Sequence, residues 1–230
     1  DAQAEGLSLR DVEARMSDYD VVFLISATMS YQEDAEILAA LKKKNPRLKT
    51  IVFGAHPTFL PHAALERDSV DIIVRKEAEF VIRDLIRAMS QGREQWKAIA
   101  GIGYRQDGQD ILNPDYPYID NLDELPIPDR EFLSKNVDYY NPIVRNDAWT
   151  TALSSRGCPS RCTFCTSPAY YGPRYRARSA QNVVEEMQYL QEMGFREIFY
   201  RDEVFTLDKK RVFDICNNVL EAGLKIEWIC

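Results

Sequence analysis

The sequence has no run of about eighteen apolar residues, so no membrane-spanning helix is expected. It has no surplus of positive charge. The 29 Lys and Arg stand against 36 Asp and Glu, a net charge of -7. Nothing electrostatic therefore calls for nucleic acid or an anionic membrane as a partner. The stretch from Asp1 to Gly6 has neither a basic nor an apolar signal-peptide region. No Met opens it, which suggests a fragment or a processed chain. Histidine is scarce, only His56 and His62, and there are five cysteines, three of them between 158 and 165. An odd, clustered set argues against a secreted disulfide scaffold. It points to a reducing, cytoplasmic compartment and to metal or redox chemistry. What is present is an ordinary globular composition, 45% hydrophobic and 28% charged over 230 residues. That length allows one or two domains and a substantial core.

Strand and helix signals alternate from the start. Ser8 followed by Asp11 reads as a helix N-terminus. Residues 21–25 form an apolar run typical of a strand buried on both faces. A helix over 32–44 is stopped by Asn45-Pro46, and a strand over 50–53 ends at Gly54. A third strand is expected at 70–74 and a helix at 77–89, with Gly92 as its stop. Asp107-Gly108 between two short apolar runs is a hairpin signal. The prediction for residues 1–112 is an α/β, Rossmann-like (flavodoxin-like) domain with a mostly parallel sheet. Residues 113–148 hold Pro114, Pro117, Pro126, Pro128 and Pro142 and read as a Pro-rich linker. From 149 the alternation restarts: a strand at 150–154, a Gly/Pro/Cys loop, and a Ser179-capped helix with Val183, Met187 and Leu190 inward. A strand at 197–200, an Asp208-capped helix with Val212, Ile215 and Val219 inward, and a strand at 225–229 follow. Two similar strand–helix units of about thirty residues suggest a partial (β/α) barrel, incomplete at the end of the chain.

The sharpest motif is Cys158-Pro159-Ser160-Arg161-Cys162-Thr163-Phe164-Cys165, a C-x3-C-x2-C spacing directly after a predicted strand. Thiolates are soft ligands for iron–sulfur clusters or zinc. Three of them can hold three irons of a [4Fe-4S] cluster and leave one iron open, as catalytic metal sites do. Zinc would want a fourth protein ligand, and both histidines lie about a hundred residues upstream.

Gly157-Cys158-x3-Cys162-x-Phe164-Cys165 resembles the signature of the radical S-adenosylmethionine (SAM) superfamily. The resemblance implies that Cys158, Cys162 and Cys165 ligate a [4Fe-4S] cluster. It implies that SAM binds the open iron through its amino and carboxylate groups, that Phe164 packs near the adenine, and that SAM is cleaved reductively to a radical. Asp202 and Glu203 follow the second strand of that domain, where the family often holds the SAM amino group with acidic residues. Carboxylates at the C-terminal end of a barrel strand face the active site.

Three shorter pieces lie at strand ends of the first domain. Asp1-Ala2-Gln3-Ala4-Glu5-Gly6 is similar to the D-x-H-x-x-G loop of cobalamin-binding domains, with Gln3 in the place of the axial His. Ser26-Ala27-Thr28 and Gly54-Ala55-His56 are similar to the two elements that follow in those domains. In order, and ahead of the cysteine motif, they resemble the cobalamin-binding radical SAM family. The resemblance implies cobalamin contacts at Gln3, Gly6, Ser26, Thr28, Gly54 and Ala55. It also implies a small-molecule substrate for radical methylation, cyclisation or rearrangement, and an electron donor such as a flavodoxin or ferredoxin. His56 reads as a loop His satisfying a backbone carbonyl. Two other readings stand beside this one. A radical SAM methylthiotransferase-like enzyme normally has three more Cys in its first domain, and residues 1–150 have none. A non-catalytic metal- or corrinoid-binding protein would be marked by zinc without labile sulfide.

Overall fold

A computed structural model describes residues 2, 4–92, 94–132, 139 and 141–230. The described residues form two compact units, one of residues 2 and 6–118 and the other of residues 4–5 and 119–230.

In the first unit, Ser8 caps α1 (Leu9–Arg15) with a complete capping box, its backbone N–H donating to the Asp11 carboxylate at 2.8 Å. Strands β1 (Val21–Ile25), β2 (Lys49–Phe53) and β3 (Ile72–Val74) are parallel neighbours, linked by α2 (Tyr31–Lys44) and by α3 (Ala55–Phe59) with α4 (Pro61–Leu65). After α5 (Glu79–Ser90), β4 (Ile102–Gln106) and β5 (Gln109–Leu112) extend the sheet antiparallel, in the order β1-β2-β3-β4-β5. The period of two in each strand sorts the core into two layers. Phe23, Ile51, Ile72 and Tyr104 stand in register and pack with Val81 and Leu85 of α5. Leu24, Val52 and Ile73 pack with Tyr31, Ala35 and Leu38 of α2. Helices cover both faces of β2 and β3, but β1 lies at the sheet edge, half-buried from Val21 to Leu24 with Ile25 exposed, so its apolar run does not mark burial on both faces. The β4–β5 hairpin turns through Asp107 and Gly108, at φ 52° and 77°, the backbone of a type I′ turn.

In the second unit, β6 (Trp149–Ala152), β9 (Glu197–Tyr200) and β10 (Glu227–Ile229) form a parallel sheet in the order β10-β9-β6. Helices α7 (Ala180–Glu192) and α8 (Lys209–Glu221) bury Val183, Met187, Leu190, Ile215 and Val219 with Ile198. Ser179 and Asp208 accept from the backbone N–H groups of Asn182 and Arg211, the N-caps read from sequence. Between β6 and α7 lie a two-residue ladder of β7 (Ser155–Arg156) with β8 (Arg176–Ala177) and the short α6 (Ser167–Tyr170).

The Pro-rich segment is less a linker than its composition suggests. Asn113 donates through Nδ2 to the carbonyls of Lys97 and Ile99, both at 2.7 Å, within the first unit. Ile119, Leu122 and Arg130 are buried in the second. Proline fixes φ without preventing burial, so its density marks irregular backbone rather than loose packing. Residues 54–56, read as a loop, instead lead into α3 at Ala55. A helix of five residues carries no periodic signal.

Glu197, almost wholly buried at the start of β9, accepts the N–H groups of Arg145 and Asn146 at 2.8 Å each and the Asn146 side chain at 3.1 Å. Burial pushes its carboxyl up, but these hydrogen bonds outweigh burial and hold it below the usual range. A depressed carboxylate stabilises the fold above its unfolded-state value and loses that contribution as pH falls through the folded one. Glu197→Gln is expected to lose about 1–2 kcal/mol near pH 7. In urea unfolding the gap to the wild type should begin to narrow below about pH 4, where the unfolded carboxyl protonates, and close as the folded one does. An equal gap at pH 7 and pH 3 would show that the charge contributes nothing.

Candidate functional sites at the strand ends

The thiol loop leaves the C-terminal side of β6 and β7. Gly157 adopts φ +80°, and a Cβ there would run into the carbonyl oxygens of Arg174 and Gly172. The loop is thus pressed against residues 172–174, and the Cys158 N–H bonds the Gly172 carbonyl at 3.3 Å. Cys158 is buried, whereas Cys162 and Cys165 are exposed and linked by a Cys165 N–H to Cys162 carbonyl bond of 3.2 Å. Phe164 between them is 88% exposed. Among the described residues, no three His, Cys, Asp or Glu side chains gather closely enough to hold a metal ion. As a donor set, three soft thiols on one short loop suit an iron–sulfur cluster with an open position better than tetrahedral zinc.

The two carboxylates beyond β9 have different surroundings. Asp202 is engaged: Oδ1 accepts the Ser154 N–H at 2.7 Å, and Oδ2 accepts the hydroxyls of Ser154 and Ser155 at 2.6 and 2.5 Å. It braces the end of β9 against the corner that leads into the thiol loop. Glu203 has one carboxylate oxygen, Oε2, buried without a hydrogen-bond partner among the described residues. Of the pair, Glu203 is the one with capacity to accept from a ligand.

Under the same corner lies an ion network that sequence reasoning missed. Glu186 of α7 is 1% exposed and pairs with Arg130 at 2.9 Å and with Arg178. Arg130 also donates to the Thr151 carbonyl at 2.9 Å, and Arg178 to the Leu153 carbonyl at 3.1 Å. Arg211 donates to the Ser154 carbonyl at 2.9 Å. Three buried guanidiniums thus satisfy the backbone carbonyls where β6 ends. The only sequence signal was Glu186 on the inward side of an otherwise apolar helix stripe.

In the first unit, Ser26, Thr28, Gly54 and Ala55 come together where β1 and β2 end. Ligands of open α/β sheets bind outside such strand ends. Gly54 has φ +111°, and a Cβ there would sit 2.7 Å from the Ser26 carbonyl oxygen. Glycine is required at this position by the close approach of the chain to itself. The Ser26 hydroxyl is buried and donates to Asp34 at 2.6 Å, so only its neighbours face outward. Thr28 and Ala55 are exposed. Gly6 precedes α1 at φ +65° with open space around it, and Gln3 lies outside the described residues. His56 is not a loop residue; it is buried in α3, its ring stacked on Tyr31 with centroids 3.8 Å apart. Burial raises the Tyr31 phenol to about 12 and lowers His56, so both are neutral near pH 7. Ile25, Met29, Phe59 and Leu60 are exposed on residues bordering these strand ends. Apolar side chains left uncovered beside a buried imidazole, one nitrogen of which has no partner among the described residues, suit a broad, partly apolar ligand such as a corrin.

Comparison with known proteins follows the same division. Residues 4–86 match the family model of the B12 binding domain, and residues 153–230 match that of the Radical SAM superfamily. The chain is 36% identical over 232 residues to an uncharacterized methyltransferase of Pyrococcus horikoshii, covering 99% of this chain and 50% of the relative. It is 30% identical over 237 residues to the anaerobic magnesium-protoporphyrin IX monomethyl ester cyclase of Rubrivivax gelatinosus, covering 99% of this chain and 42% of the relative. Among solved structures it resembles the cobalamin-dependent SAM radical enzyme OxsB with aqua-cobalamin and SAM bound. There the TM-score is 0.79 and the identity 25%, over 99% of this chain and 32% of that one. The chain spans about half the length of the curated relatives it matches.

Proposed function

Because the chain belongs to the cobalamin-binding radical SAM family, we propose that it serves an enzyme that cleaves SAM reductively, with a corrinoid bound in its first domain, to methylate, cyclise or rearrange a small molecule. The observation that carries this reading is the C-x3-C-x2-C loop at the end of the first strand of a parallel sheet, with a Glu203 oxygen that has no partner among the described residues just past the next strand. Cys158, Cys162 and Cys165 would hold a [4Fe-4S] cluster and leave one iron for the amino and carboxylate groups of SAM. Glu203 would accept a hydrogen bond from the SAM ammonium, and the exposed Phe164 ring would cover part of its adenosine. Asp202, held by three hydrogen bonds, would keep the thiol loop and Glu203 at a set spacing. When bound, the cluster supplies a single electron at low potential and the corrinoid supplies methyl-transfer capacity. Thr28, Gly54, Ala55 and Gly6 would line the corrinoid beside Ser26, while Gln3 lies outside the described residues. The electron would come from a flavodoxin- or ferredoxin-like donor.

Elemental analysis of protein purified without oxygen, from cells supplied with cobalamin, tests both halves. About four iron atoms and one cobalt per chain are expected. Iron without cobalt would remove the corrinoid from the proposal. Zinc with neither would leave a structural thiolate site and remove the chemistry.

A further inference from the structure

We propose that His56 is a positioning residue that makes the Thr28 hydroxyl a hydrogen-bond donor toward an acceptor oxygen of the corrinoid, an amide carbonyl or a phosphodiester oxygen. The inference rests on the corrinoid reading above and deepens it by naming a contact and the residue behind it.

The His56 ring is held on several sides. It stacks on Tyr31 at 3.8 Å and 15°, and the Tyr31 hydroxyl is itself tied to the Ala64 carbonyl at 2.5 Å. The His56 backbone N–H donates to the Ser26 carbonyl at 3.2 Å. Its Nδ1 lies 3.3 Å from Thr28 Oγ1, and its Nε2 is buried without a partner among the described residues. A neutral imidazole has one N–H and one lone pair. If the proton sat on Nε2, a buried donor would be orphaned; with the proton on Nδ1, only a lone pair is. Orphaned buried donors are the rarer case in folded proteins, so the Nδ1–H tautomer is selected. Nδ1–H then donates to Thr28 Oγ1, and the threonine proton is left to point elsewhere. Thr28 is exposed, immediately beyond β1 where ligands of such sheets bind. The arrangement converts an ambivalent hydroxyl into a directed donor.

The test is equilibrium binding of hydroxocobalamin, and separately of cobinamide, to the anaerobically purified chain. The variants are Thr28→Val, Thr28→Ser, His56→Phe and the double variant Thr28→Val/His56→Phe. His56→Phe keeps a ring against Tyr31, and Thr28→Val replaces an exposed side chain, which keeps the test open if the buried variant folds poorly. Thr28→Val and His56→Phe are each expected to weaken cobalamin binding by about 3- to 10-fold, and Thr28→Ser by less than about 2-fold. The double variant should bind no more weakly than Thr28→Val, because His56 acts through that hydroxyl. A merely structural role for His56 would instead multiply the two losses, and that result overturns the inference. So does unchanged binding by Thr28→Val. An equal loss with cobinamide, which lacks the nucleotide tail, places the acceptor on a corrin amide; a loss with cobalamin alone places it on the phosphodiester. Failure of the wild-type chain to bind either corrinoid overturns the corrinoid reading itself, which separates that failure from one confined to His56.

Discussion

Cys158→Ala, Cys162→Ala and Cys165→Ala will each strip the protein of iron and acid-labile sulfide, from about four of each per chain to near zero. Three thiolates are the minimum that leaves a single open iron, so losing one leaves too few to hold the cluster against exchange with water and buffer. No substitute stands ready. Cys216 is half-buried on α8, and burial pushes the Cys230 thiol up, with the Asp202 charge adding to the shift. A thiol held protonated at neutral pH is a poor ligand. Cys162 and Cys165 are exposed, so their replacement removes ligand chemistry and little packing. Far-UV circular dichroism and the urea midpoint should match those of apo wild-type protein, while iron, sulfide and the visible cluster absorbance disappear together. Full iron and sulfide in any one variant would remove that residue from the ligand set.

The motif itself was legible because cysteine spacing along a loop is a local property. So were the caps at Ser8, Ser179 and Asp208, the Asp107-Gly108 turn and the existence of the apolar strands, though not the edge position of β1, whose apolar run is only half-buried. Boundaries were less so. Val70 is buried but closes a turn onto Arg67, so β3 starts only at Ile72. What sequence could not supply is which distant polar groups meet. Asp202 and Glu203 are adjacent and chemically alike. One is engaged by serines 47 and 48 residues upstream, and the other keeps a buried oxygen with no partner among the described residues. His56 looked like a loop residue because its stacking on Tyr31 spans a helix and a strand in sequence. Arg130 looked like a linker residue because its carboxylate partner lies 56 residues away.

Glu186→Ala will destabilise the second unit by about 3–5 kcal/mol, a large fraction of the stability of an ordinary domain. The carboxylate is 1% exposed and faces two guanidiniums, themselves 7% and 8% exposed. Without it, Arg130 and Arg178 stay buried as uncompensated charges of the same sign, and the loss exceeds what the intact pair contributes, because desolvation is no longer offset. Glu186→Gln keeps the shape and one acceptor but leaves the positive charge uncompensated, so it should fall between Ala and wild type. Trp149 and Trp228 belong to this unit and Trp96 to the other, so unfolding can be followed separately with single-tryptophan variants. The urea midpoint reported by Trp149 should fall and that reported by Trp96 should not. The same arginines hold the carbonyls of Thr151 and Leu153, two residues apart at the end of β6, just ahead of the thiol loop. A loosened β6 end should therefore release iron at urea concentrations that leave the wild-type cluster intact. An unchanged Trp149 midpoint would mean that water reaches the guanidiniums and that the network contributes nothing to holding the loop.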